Sequence, residues 1–189
     1  MALEKCRENT YDLEANLAVL KLYQFNPTYY VTNVVSLILL KALTNLPHAD
    51  FVLCKCLIEK DHLEKKDIQH IVYLHDLLET CQFTKFWDKE VQQEVGPIIM
   101  QVTGFEDSIR KFICHVVNTT YQIIDKMTLS AFLGGLNDYA LRGWMAKYGW
   151  KECGQNFVYI GNQEESIKTK NITEKIDFDS VAAIMSLTR

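Results

Sequence analysis

The chain has 189 residues, of which 48% are apolar and 23% charged, and it carries a formal charge of −4. That balance is the one a packed globular protein needs, with core enough for one large domain or two small ones, and it argues against a disordered tail. It also leaves no global positive field to hold a polyanion by counterion release, which argues against autonomous, tight, non-specific nucleic-acid binding.

The N-terminus, MALEKCRENTYDLEANL, is charged from its fourth residue and lacks the uninterrupted apolar core of a signal peptide, so secretion is not expected. Leu13, Leu17, Leu20 and Phe25 fall close to one helical face and predict a helix that stops at Asn26-Pro27. Tyr30, Val34, Leu37, Ile38 and Leu43 do the same before Asn45-Leu46-Pro47. Proline removes an amide donor and disfavours helix in the residue before it, so each proline marks a turn. The most apolar run, VVSLILL at 34–40, falls short of the roughly 20 residues of a membrane span and reads as a buried helix. A third helix is predicted from about Asp50, as N-cap, through Phe51, Cys54, Leu57 and Ile58. The mixed-charge run EKDHLEKKD follows as a solvated loop, and then a fourth helix carries Ile68, Ile71, Val72, His75 and Leu78. A weaker pattern through Phe83, Phe86, Trp87, Val91 and Val95 ends at Gly96-Pro97. Short loops between successive helices make antiparallel neighbours, so residues 1–100 are expected to form an array of stacked helical hairpins.

After Gly104 the segment FEDSIRKFICHVVNTTYQIID puts Phe105, Ile109, Phe112, Ile113, Val116, Val117 and Ile124 on one broad apolar face, which predicts a single long helix. Glu106 and Asp107 in its first turn suit the helix dipole. Thr128 is expected to cap a short helix bearing Leu129, Phe132 and Leu133, broken by Gly134-Gly135. Asn137 or Asp138 starts the next helix, where Leu141, Trp144, Met145 and Tyr148 form an inward face, and Gly149 stops it. Trp150, then Gly154, then Phe157-Val158-Tyr159-Ile160 read as strand, loop and strand. Helix, helix, helix and hairpin is the winged-helix order. The tail at 166–189 carries Phe178, Val181 and Ile184 at helical spacing, a short helix that can dock on the domain itself or on a partner subunit. The expected fold is therefore mainly α. A HEAT-like helical-hairpin array over 1–100 is followed by a winged-helix domain with a small β-hairpin wing over 101–165, and then by the tail.

Residues 1–100 hold ten Lys+Arg against fourteen Asp+Glu, and residues 101–189 hold ten of each, so neither half is basic. On the candidate recognition helix only Arg142 and Lys147 are basic, with Lys151 just beyond and Asp138 opposing them. These three are the candidate contacts to RNA or to a partner, although a groove reader shows more Lys and Arg on its outer face.

No catalytic, cofactor or metal site is expected. Cys54 and Cys56 sit two apart on a predicted helix and diverge by about 200°, and no second pair at zinc spacing follows. The histidines, His48, His62, His70, His75 and His115, form no HExxH pattern, and the pair His70 and His75 does not share a helical face. Cys114 and His115 are adjacent and diverge, so they make no nucleophile and base pair. Gly134-Gly135 lacks the GK[ST] of a phosphate loop. Six scattered cysteines without a secretory signal predict free, mostly buried thiols in a reducing compartment.

The blocks YDLEANLAVLKLYQFNP, ILLKALTNLPHADFVLCKCLIE, YLHDLLETC, GFEDSIRKFICHVV, KYGW and QEESIKTKNITEKIDFDSV, spread from about Tyr11 to Met185, resemble the K-subunit family of eukaryotic translation initiation factor 3. That resemblance implies a HEAT-like array with a winged-helix domain, related to the PCI domains of large regulatory complexes. It implies a non-enzymatic assembly role with other initiation factor 3 subunits, chiefly subunit L. The complex would bind the small ribosomal subunit, in the cytoplasm and also in the nucleus, with no membrane contact. Members of the family carry a further helical segment before the YDLEANL block, so the first hairpin is expected to be incomplete. The alternative is an RNA-binding winged-helix module that touches rRNA or mRNA directly.

Overall fold

The computed structural model describes residues 11–88, 91, 96, 97, 99–154 and 156–161. Helix α1 (Leu13–Phe25) starts at Asp12, whose carboxylate accepts the Ala15 amide at 3.1 Å. Leu20 is buried, and Leu13 and Leu17 pack against the core. Phe25 does not join that face and is 80% exposed, because five residues beyond Leu20 turn it about 140° away.

Helix α2 (Thr32–Leu43) is the central element, and every residue from Val35 to Leu43 is buried, Ser36 and Lys41 included. A helix apolar all round has to be covered on all sides. Three of its neighbours, α1, α3 (Asp50–Cys56) and α5 (Lys66–Glu79), supply much of that cover. Asp50 begins α3, but its carboxylate does not cap the helix; it accepts the Asn45 side-chain amide at 2.6 Å. The charged run expected as a loop contains one helical turn, α4 (Lys60–Leu63). A long-range contact holds it: the His62 ring stacks on Tyr30 with centroids 3.6 Å apart, and Lys65 lies over the same tyrosine. Ile68, Ile71, Leu74, Leu77 and Leu78 line the buried side of α5, and Phe83 and Phe86 bury the short α6 (Phe83–Phe86).

Helix α7 (Phe105–Thr120) buries Phe105, Ile109, Phe112, Ile113, Cys114 and Val117 as its periodicity predicts, but it is shorter than expected. Ile124 lies instead in strand β1 (Ile123–Asp125). Thr119 and Thr120 turn their hydroxyls back to the His115 and Val116 carbonyls, at 2.9 and 2.8 Å, in the last turn of the helix. Beyond it the chain is extended because β3 (Phe157–Tyr159) pairs with it antiparallel. Helix α8 (Lys126–Phe132) is capped by Asp125, which accepts from the Thr128 amide at 3.0 Å, so Thr128 is the capped residue and not the cap. Asn137 caps α9 (Asp138–Tyr148) through the Ala140 amide, and Gly149 ends it with φ 71. Trp150 is buried just ahead of β2 (Lys151–Cys153). The sheet order is β1-β3-β2, all antiparallel. Helix, strand, two helices and a hairpin whose second strand sits at the centre of the sheet is a winged helix, behind a helical array.

One hydrophobic core runs through both parts. At their joint, the Trp87 indole donates to the Phe132 carbonyl at 2.8 Å, while Arg110 lies over the ring and donates through Nε to the Leu133 carbonyl at 3.1 Å. Phe83 meets Phe112 and Phe132 edge to face. Gly134, with φ 90, brings its backbone against the indole, where a Cβ would lie 3.0 Å from Cδ2.

Candidate partner interface on the small domain

Recognition-helix position α9 buries Leu141 and Met145, while Trp144 and Tyr148 stay half-buried at the core edge. These rings and Trp150 form a stacked column, with centroids 6.4 and 5.3 Å apart. The Trp150 indole also donates to the Asn118 side-chain oxygen at 3.4 Å. The column fixes the start of the wing against the end of α9.

The basic residues do not form an anion site. Arg142 pairs with Asp138 at 3.2 Å and with Glu152 at 3.3 Å. Lys126 contacts the same two carboxylates, at 2.6 and 3.3 Å. Two cations and two carboxylates thus cancel each other while tying α8, α9 and β2 together. The hydrogen bond from Lys126 holds the Asp138 carboxyl below the usual carboxylate range, and the same bond raises the Lys126 ammonium. Lys147, five residues from Arg142 and so about 140° around the helix, lies over Trp144 at 4.8 Å. Lys151 neighbours Glu152 along β2 and therefore projects from the opposite face of the sheet, across from Tyr159. Arg142, Lys147 and Lys151 thus point three ways. The tail positions Phe178, Val181 and Ile184 lie outside the described residues.

A partly apolar surface lies on the face of the sheet that also carries Lys151 and Asp125. The inner face of the sheet buries Ile124 and Val158. On the outer face Ile123 stands across from Tyr159, and Phe157 across from Cys153. Ile123, Phe157 and Tyr159 are 52%, 51% and 40% exposed. The outer face therefore exposes three large apolar side chains, with Lys151 beside Tyr159 and Asp125 beside Phe157, while Ile124 and Val158 are covered on the inner face. Met127 and Tyr139 add exposed apolar side chains on α8 and α9. Phe157-Val158-Tyr159 had been legible as a strand, but its outward face had not, since two apolar residues flanking a third give no polar alternation to read.

The groove beside this surface, between α8, α9 and the wing, has a volume of about 330 Å3 and is lined by Lys126, Ser130, Leu136 and Asp138 among others. Its titratable pair is already an ion pair. Contrary to the expectation of mostly buried thiols, Cys56, Cys81 and Cys153 are exposed and Cys54 and Cys114 are buried, and burial pushes the thiols of these two up to about 11 and about 12. Neither is an activated nucleophile. Among the described residues no helix is long and apolar enough to cross a membrane.

A helical array joined to a winged helix through a shared core is consistent with the CSN8/PSMD8/EIF3K class, and a model of that family matches residues 29–171. The chain belongs to this family. Within it the chain is similar to proteins named eukaryotic translation initiation factor 3 subunit K. The protein from Xenopus tropicalis is 59% identical over 182 residues, which cover 96% of this chain and 83% of that protein. The one from Homo sapiens is 58% identical over the same share of each. That from Aedes aegypti is 51% identical over 183 residues, 97% of this chain and 81% of that protein.

Proposed function

We propose that the chain is a non-catalytic assembly subunit of translation initiation factor 3, acting in translation initiation. Its relatives' names support the complex, and the uncovered outer sheet face, Ile123, Phe157 and Tyr159, supports the assembly role. An apolar patch bearing Lys151, next to a cluster in which Lys126 and Arg142 are already paired, suits a protein partner better than a polyanion. The proposed neighbour is subunit L, and contact with the small ribosomal subunit runs through the complex. The proposed place of action is the cytoplasm, with the nucleus as a second location. Internal pairing of Arg142, together with the dispersal of Lys147 and Lys151, argues against the RNA-binding alternative.

The test is co-purification with subunit L of the unaltered chain and of a Phe157→Glu, Tyr159→Glu variant. Hot-spot truncations cost about 2 kcal/mol or more, so capture is expected to weaken by ~30-fold with the variant's melting temperature little changed. If neither subunit L nor any other initiation factor 3 subunit binds the unaltered chain, the reading fails. Undiminished capture by a folded variant would move the interface off the sheet.

A further inference from the structure

A cleft on the far side of the array, between α3, α4 and α5, holds a group of side chains that the assembly role does not use. His75 projects from α5 into the core edge, 3% exposed, and its ring lies flat against Phe51 with centroids 4.0 Å apart. Stacking fixes the plane of the imidazole and so fixes where its two nitrogens point. Nε2 faces the Glu79 carboxylate at 3.6 Å, one helical turn on, and Nδ1 faces Asp76 at 3.5 Å. Both separations exceed the roughly 2.7–2.9 Å of a charge-assisted hydrogen bond. Nδ1 has no hydrogen-bond partner although it is fully buried. A buried imidazole nitrogen without a partner costs about 1–3 kcal/mol, and a native structure retains such a cost for a reason.

The spacing fits a metal ion. Two ligands about 2.0–2.1 Å from a tetrahedral cation lie ~3.4 Å apart, close to the 3.6 Å between Nε2 and the Glu79 oxygen. One ligand atom from each of His75, Asp76 and Glu79 falls within 4.8 Å of the others. Lys55 and Lys60 line the same cleft, yet the two carboxylate oxygens nearest the imidazole turn toward it. Asp76 and Glu79 are 59% and 57% exposed, so Glu79 is free to close by ~0.2 Å on an ion that enters from solvent and Asp76 to close by about 0.6 Å on Nδ1.

We propose that His75 Nε2 and the Glu79 carboxylate bind a first-row divalent cation of the zinc type, with Asp76 as the carboxylate that holds the Nδ1 proton. Metal on Nε2 requires the proton on Nδ1, and Asp76 is the acceptor positioned to take it. The orphaned nitrogen then gains its partner, as metal-bound histidines characteristically do. Water fills the remaining coordination positions. Imidazole with carboxylate suits zinc and its neighbours, whereas Mg2+ prefers oxygen ligands and retains its water. His75 and Glu79, four residues apart, share one face of α5.

The experiment titrates ZnSO4 into the full chain by calorimetry, in a background where the exposed thiols Cys56, Cys81 and Cys153 are replaced by serine. One Zn2+ per chain is expected, with a raised melting temperature, and Mg2+ is expected to give neither. Asp76→Asn should weaken binding by about 10- to 100-fold. Glu79→Gln should weaken it at least as much. His75→Gln should abolish it, and because that change can disturb the Phe51 stack, the solvent-exposed Glu79→Gln variant decides the matter. Absence of Zn2+ binding, or binding unchanged in folded Glu79→Gln, overturns the proposal.

Discussion

Gly134→Ala tests the joint between the array and the winged helix. Two costs add at this position. The backbone has φ 90, where a residue with a Cβ pays about 1–2 kcal/mol. The new Cβ would also lie 3.0 Å from Trp87 Cδ2 and 3.3 Å from Cε2 and Cε3, so the indole must shift. The indole cannot move freely, because its Nε1 donates to Phe132 at 2.8 Å and its face carries Arg110 at 5.1 Å. Loss of that hydrogen bond costs about 1 kcal/mol and loss of the cation–π contact about 0.5–1 kcal/mol. Together these give ~3 kcal/mol, or about 6–12 °C in melting temperature for a chain of this size. Gly135→Ala is the control. Its φ is 69 and its Cβ would meet nothing within 4 Å, so only the backbone cost remains, about 1–2 kcal/mol. Calorimetric melting of both variants, with tryptophan emission followed alongside, separates the two contributions. Equal destabilisation by the two substitutions would refute the claim that Trp87 is clamped at this joint.

The charged cluster and the thiols carry two further expectations. Asp138 is depressed, so its contribution to stability is complete above the ordinary carboxylate value and is lost as pH falls through its lowered one; Lys126 is raised, so its contribution holds below the ordinary lysine value and is lost as pH rises through its raised one. Across the neutral range the cluster is therefore intact and the unaltered chain should bind RNA weakly. Asp138→Asn with Glu152→Gln frees Lys126 and Arg142, and filter binding should then show stronger, salt-sensitive RNA affinity. Micromolar binding by the unaltered chain, abolished by charge reversal at Arg142, Lys147 and Lys151, would instead establish the RNA-binding reading. In the native chain at pH 7.5, alkylation timed by mass spectrometry should label Cys56, Cys81 and Cys153 and spare Cys54 and Cys114. The two buried thiols have raised values, so their contribution to stability is complete below the ordinary thiol range near 9 and is lost as pH rises toward about 11 and about 12. Labelling of Cys114 at the rate of Cys153 would mean that α7 opens on that timescale.

Elements whose signals are local are legible in the amino-acid order. Heptad-like spacing placed the buried faces of α5 and α7, Asn137 and Gly149 bounded α9, and the apolar density at 34–40 marked the central helix. Each of those signals lies within a turn or two of the residues it describes. The array and winged helix could thus be read in outline, and the family blocks agreed with it. Other features depend on residues far apart in the chain and emerge only on folding. β1 exists because β3, more than thirty residues later, offers it hydrogen bonds; periodicity alone carried the helix through Ile124. Arg142 counts as a free cation in the sequence and becomes a neutralised one through Glu152 on the wing. The apolar outer face of the sheet appears only once pairing assigns each side chain of Phe157-Val158-Tyr159 to a side. Local signals mark the buried face of a helix, but where α7 stops, how charges pair, which strands partner and which faces stay exposed are properties of the assembled chain.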